Sequence, residues 1–200
     1  MAHVIARDST ARWGTRGQES REDVVRLGLW IFLATVTMLF AAFTSAYIVR
    51  RSSGDWRPVA LPSLLVFNTA VLLLSSGAVE AARWSGTRNR WHAAGVAFGA
   101  AVGLGFGFLL AQWAAWGQLA AAGVYLPTSP HASFFYMMTG AHALHVLAAL
   151  ALLTWTAVAT WIGRGLSARR EWDLLMSVCR TFWHYLGAVW VYLLIFLSVY

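Results

Sequence analysis

Four side chains inside the apolar stretches of this 200-residue chain have chemistry to offer: His142, His145, His184 and Glu80. His142 and His145 are three residues apart, a spacing that puts both imidazoles on one face of a helix. Such a pair can ligate a transition metal, hold a haem, or hydrogen-bond a neighbouring helix. A shared metal would need every ligand about 2 Å away from it. His145 stands ~24 Å from the C-terminal end of its apolar run, and His184 ~9 Å from the N-terminal end of the next, at 1.5 Å per residue. Those two ends lie on the same side of the membrane, so the histidines differ in height by ~15 Å. His142 and His145 alone leave a metal short of ligands, and no cysteine or carboxylate is near in sequence. A bis-histidine haem needs two opposed, level histidines, which this arrangement supplies poorly. Hydrogen bonding between helices is therefore the expected work of these imidazoles.

Glu80 precedes Arg83 by three residues on the same helical face, the spacing of a surface ion pair. An ionised group in hydrocarbon costs ~2.5–3.5 kcal/mol on insertion scales, so it also marks possible contact with a lipid headgroup or with a partner's proton entrance. The only cysteine, Cys179, excludes an internal disulfide and a cysteine-rich metal site. No Gly-Lys-Ser phosphate loop, two-cysteine haem attachment motif or intramembrane carboxylate pair is present. Gly103, Gly105 and Gly107 fall within an apolar run, so their spacing is not a nucleotide loop. Catalytic, cofactor-binding and metal-binding residues are all expected to be none.

The elements that carry these residues are set by hydropathy. Apolar residues make up 59% of the chain and charged ones 12%, against about 25% charged in a soluble domain. Five runs, 23–50, 63–83, 92–120, 132–161 and 177–200, are long enough to cross ~30 Å of hydrocarbon as helices. They lack the period-2 alternation of a membrane barrel. The fold class is thus all-α: an integral membrane bundle of five helices, residues 23–200, behind a polar tail of residues 1–22. The tail has no apolar core of a signal peptide, and the run starting near Leu27 is too long for one, so it is expected to stay as a helix.

The chain carries a net charge of +7 from fifteen basic residues, all of them arginine. They cluster between runs, which points to anchoring rather than nucleic acid. With the N-terminus inside, twelve arginines (Arg7, Arg12, Arg16, Arg21, Arg26, Arg83, Arg88, Arg90, Arg164, Arg169, Arg170 and Arg180) fall on the inner side. Only Arg50, Arg51 and Arg57 fall outside. The positive-inside rule then places the N-terminus in the cytoplasm and the C-terminus outside. Trp56, Trp84, Trp91, Trp161, Trp172 and Trp183 suit an interfacial aromatic belt. In the third run Gly95, Gly99, Gly103, Gly107, Ala111 and Ala115 recur every fourth residue. Such a stripe lets another helix approach closely, and it is expected to be a packing seam, within the chain or with another subunit.

Four motifs in order resemble the cytochrome c oxidase subunit III family, in its short five-helix bacterial form. Ser133-Phe-Phe-Tyr-Met-Met-Thr139-Gly140-Ala-His142-Ala-Leu-His145-Val146 is similar to the family's double-histidine block. Phe182-Trp183-His184-Tyr185 with Trp190 resembles its last-helix signature. Arg26-Leu27-Gly28-Leu29-Trp30-Ile31-Phe32-Leu33 and Asn68-Thr69 with Leu72, Leu73, Ser75 and Ser76 are similar to the starts of two earlier helices. The resemblance implies a non-redox subunit beside subunit I of a haem–copper oxidase in the bacterial inner membrane. Haem and copper would sit in partner subunits, and this chain would hold structural phospholipids, with Arg26, Glu80 and Arg83 as candidate contacts. It implies a role in the respiratory chain, in aerobic electron transport coupled to proton translocation. Three carboxylates frequent in the family are replaced here by Val36, Ala115 and Gly187, although Gln112 is kept. Scaffolding and lipid binding are therefore expected over proton conduction. A quinol oxidase subunit, an accessory subunit of nitric oxide reductase, and more distantly a stand-alone histidine-ligated haem or metal protein are the alternatives.

Overall fold

A computed structural model describes residues 2–53, 56, 62–162 and 169–199, with only the helical backbone for 2–20 and 169. Asp55, Arg57, Pro58 and Arg164, and the side chains of Arg7, Arg12, Arg16 and Arg169, lie outside the described residues. The described elements are five helices: α1 (Ala2–Arg51), α2 (Leu64–Thr87), α3 (Trp91–Ala121), α4 (Pro130–Trp161) and α5 (Arg169–Val199). All five are long and apolar enough to cross a membrane. The chain divides into two compact units, Met1–Met38 and Leu39–Tyr200. The segment read as a polar tail continues α1 without a break, and the apolar span within that helix is Arg21–Arg51.

Local chemistry sets the helix ends. Ser129 caps α4, its hydroxyl accepting from the Ala132 amide at 3.2 Å, and Pro130 takes the first turn, where no amide proton is needed. Gly123, at φ +78°, ends α3. Its amide bonds Ala120 O, and the Val124 amide bonds Leu119 O at 2.9 Å, the paired closure that a left-handed residue permits. Asn89, at φ 59°, turns the chain between α2 and α3, an asparagine being tolerant of that backbone.

In the larger unit α2 packs on α3, α3 on α4, α4 on α5 and α5 back on α2, which closes a four-helix ring. The part of α1 in this unit lies against α4 and α5. Phe40 meets His142 and His145, Tyr47 meets Phe134 and Phe196, and Thr44 shares a 2.8 Å hydrogen bond with the Tyr192 hydroxyl. The outside of the bundle is as greasy as its core: Leu110 is 71% exposed and Trp113 74%. Hydrocarbon gives no drive to bury such groups, so close packing and buried polar contacts select the helix faces.

On α3 the tightest packing is at Gly105. A Cβ there would come within 2.7 Å of Leu150 Cδ1 and 2.9 Å of the Trp183 ring. The four-residue row behaves differently. Gly95 lies against Trp161, whose indole donates to Gly95 O at 3.1 Å, and Ala115 is buried. A Cβ on Gly107 would meet only Val71, at 3.9 Å, and Ala111 is half-buried. Gly99 and Gly103 are exposed with nothing within 4 Å. Among the described residues, the row is thus no continuous seam. Gly105 is two residues off the row, about 200° around the helix at 3.6 residues per turn, and faces the core instead.

α5 begins eight residues before the predicted run, because Trp172 docks its first turns. That side chain is 3% exposed, lies against Gly86 and edge-on to Trp91 at 5.3 Å, and donates to Thr160 Oγ1 at 3.0 Å. Trp172→Ala will therefore undock this end of α5. Amide hydrogen exchange of residues 170–176 should rise at least tenfold while α4 stays protected; unchanged exchange would show that the turns are held otherwise.

Candidate functional site

Two polar assemblies sit inside the membrane-spanning part of the larger unit. The first, between α2 and α5, lies toward the α2–α3 turn. Glu80 is seven residues before the end of α2, ~10 Å along the helix. Arg180 and His184 are one turn apart on α5, so they present one face to it. The Arg180 Nε–H donates to Glu80 Oε1, and His184 Nε2 lies 2.7 Å from the same oxygen. Arg83 Nη1 is 4.0 Å from Glu80 Oε2, a loose contact. The i, i+3 pair expected from sequence is present, but the strong partners come from 100 and 104 residues away.

One carboxylate faces two guanidinium groups, which leaves one positive charge over before His184 is counted. The side chains are only half-covered: 39% of Glu80 and 50% of Arg83 is exposed. Beside them is a hollow of about 540 Å³ lined by Glu80, Ala81, Arg83, Trp84 and Thr87. Arg88 stacks over Trp84 at 3.6 Å and adds a second cation near its rim. The arrangement can attract an anionic group and can tie α2 to α5. Arg26 is exposed in the other unit.

The second assembly is the centre of the ring, toward the α3–α4 loop. Trp190 donates its indole N–H to Thr69 Oγ1 at 3.0 Å. It packs edge-on to Phe108 at 5.0 Å and lies 5.3 Å from the His142 ring. Trp116 donates to Thr139 Oγ1 at 3.1 Å, and Asn68 Nδ2 to Gln112 Oε1 at 3.5 Å. Trp183 is buried in the notch left by Gly105.

The three signature histidines therefore have three different settings. His184 makes the expected interhelical bond, to Glu80. His145 hydrogen-bonds Ala141 O of its own helix at 2.7 Å, so the nitrogen concerned, Nδ1, is the one bearing hydrogen. His142 is fully buried and neither of its ring nitrogens meets a protein hydrogen-bonding group. This corrects the expectation of a direct interhelical hydrogen bond for His142: its neighbours on α1, α3 and α5 are the aromatic rings of Phe40, Phe108 and Trp190. Among the described residues no three histidine, cysteine, aspartate or glutamate side chains are placed to hold a metal ion.

Sequence reasoning passed over Arg180 as a partner of Glu80, and Gly86 and Gly105 as packing notches. The signal for the first was available: Arg180 and His184 are four residues apart, in the half of their run level with Glu80.

The family model for cytochrome c oxidase subunit III matches residues 5–200. The probable cytochrome c oxidase subunit 3 of Mycobacterium tuberculosis (strain ATCC 25618 / H37Rv) is 26% identical over 96% of this chain and 95% of its own. Cytochrome c oxidase subunit 3 of Bacillus sp. (strain PS3) is 30% identical over 84% of this chain and 81% of its own. Cytochrome bo(3) ubiquinol oxidase subunit 3 of Pseudomonas aeruginosa is 31% identical over 82% and 79%. These relatives serve cytochrome c and ubiquinol oxidases alike, and the match takes in every motif and helix described above. The chain belongs to the cytochrome c oxidase subunit III family and is subunit III of a haem–copper oxidase.

Proposed function

We propose that this chain is the scaffold of its oxidase: it binds subunit I and anionic phospholipid and conducts no protons itself. The observation that carries this reading is the half-exposed Glu80–Arg83–Arg180–His184 group. A surplus positive charge ~10 Å along a membrane helix is not stabilised by hydrocarbon tails. A lipid phosphate beside Arg83 and Arg88, in the hollow they border, would neutralise it. The arginine count, twelve to three, supports placing this end of the bundle at the cytoplasmic face of the bacterial inner membrane. The tail of residues 1–22 would then be cytoplasmic. Val36, Ala115 and Gly187 offer no carboxylate for a relay, and electron transfer and oxygen chemistry stay with the haem and copper of partner subunits.

The exposed Gly99 and Gly103 offer a smooth helix face for a neighbouring subunit. Mild-detergent purification through a tag on this chain should bring down a haem–copper subunit with its Soret absorbance; recovery of the chain alone refutes the scaffold reading. Gly103→Leu should lower the yield of that complex without lowering the melting temperature of the chain itself. Equal yield would show that this face touches no subunit.

A further inference from the structure

The buried polar groups at the ring's centre lie on one level. Trp116 pairs with Thr139, and Phe108 faces His142 with ring centroids 6.1 Å apart. Gln112 is midway between Phe108 and Trp116 at helical spacing, so α3 presents it to the Thr139–His142 stretch of α4. Asn68 of α2 touches Gln112, and neighbouring Thr69 holds Trp190, which borders His142. His142, Gln112 and Asn68 are 0–1% exposed.

Among the described residues, four atoms in this belt find no protein partner: both ring nitrogens of His142, Gln112 Nε2 and Asn68 Oδ1. A neutral imidazole has one donor and one acceptor to satisfy, and an amide has both a donor and an acceptor end. However the two amides are turned, each shows one end to the other and leaves one over. Aromatic faces do not serve as acceptors here: the Phe108 and Phe40 centroids are 6.1 and 6.4 Å from the His142 ring centre, too far for an N–H···π bond, and the Trp190 ring, at 5.3 Å, is inclined only 32° to the imidazole plane, so no ring N–H is aimed at its face. Unsatisfied polar atoms in so low a dielectric are costly, and natural proteins meet them with protein groups or trapped water.

We infer that the level of His142, Gln112 and Asn68 is a binding site for internal water, hydrogen-bonded to the imidazole and to the two amides. Water is the ligand of the right valence, because it both donates and accepts, as these four atoms require. A bare cation would find one carbonyl oxygen and an imidazole, too few oxygens to replace its hydration. The site holds α2, α3 and α4 together through a shared solvent molecule where the side chains are too short to meet. This inference rests on the belt's geometry and is independent of the scaffold reading.

A cryo-electron-microscopy map of the full chain in its native complex, at a resolution that shows buried waters, is the direct test. Density within about 2.7–3.2 Å of a His142 nitrogen and of Gln112 Nε2 is expected. Protein atoms bonding the imidazole, or an empty belt in a map that shows waters elsewhere, would overturn the site. Melting temperatures of H142F, Q112L and the double variant give a second reading. A shared water makes the two losses non-additive, so that the fall caused by H142F shrinks by about half in the Q112L background. Additive losses would mean that no solvent molecule couples the two side chains.

Discussion

Glu80→Leu will destabilise the bundle by about 2 kcal/mol, less than the ~3–5 expected for breaking a fully buried pair, because the group is half-exposed and partly screened. The substitution removes the acceptor of Arg180 and of His184 together. A guanidinium is then left between two helices with Arg83 nearby and no carboxylate. Glu80→Gln keeps an oxygen for both donors but withdraws the charge, and should fall between wild type and leucine. The decisive comparison is E80L/R180L: removing both charges recovers most of the loss, as apolar replacement of an ion pair does elsewhere. Thermal unfolding in one detergent, with all variants side by side, measures this. A melting temperature for E80L equal to wild type would show that the α2–α5 tie contributes nothing.

Gly105→Leu is the second large effect. Even a Cβ at this position falls 2.7 Å from Leu150 Cδ1 and 2.9 Å from Trp183. Both neighbours are nearly inaccessible, Leu150 at 2% and Trp183 at 1% exposed, and have nowhere to swing. Overpacking of a tight core costs about 1–3 kcal/mol, here at the upper end because α3 must move away from α4 and α5 together. Against this stands about 1 kcal/mol gained when glycine leaves a helix interior. The net loss should lower the melting temperature by several degrees. Gly103→Leu on the same helix is the control, since among the described residues nothing lies within 4 Å of a Cβ there, which leaves the gain. Equal melting temperatures for the two variants would mean that Gly105 is no notch.

The two glycines show how far sequence reading reached. A row at four-residue spacing is visible in one dimension and marks a stripe. Whether the stripe looks inward depends on the helix's rotation about its own axis, where one residue is 100°. The row pointed at Gly99 and Gly103, whereas the tight approach is at Gly105, on the opposite side of α3. Glu80 was legible in the same partial way. Its neighbour Arg83 is local and was found, while Arg180 and His184 depend on α5 returning to lie beside α2. The start of α5 was missed because residues 169–176 are too polar for a hydropathy run and owe their docking to one tryptophan.

By itself the sequence determined that five long apolar helices exist and which family they belong to. Hydropathy, caps, turn residues and motif spacing are properties of neighbours along the chain. Only the tertiary structure decided which side chains meet: that Glu80 ties α2 to α5, that His184 bonds across helices to that carboxylate, and that His142 is enclosed among aromatic rings. The physical reason is that a membrane helix exposes and buries equally apolar surface. Its facing is therefore set by a few close contacts and buried polar groups from distant parts of the chain, and those are read only after the bundle has closed.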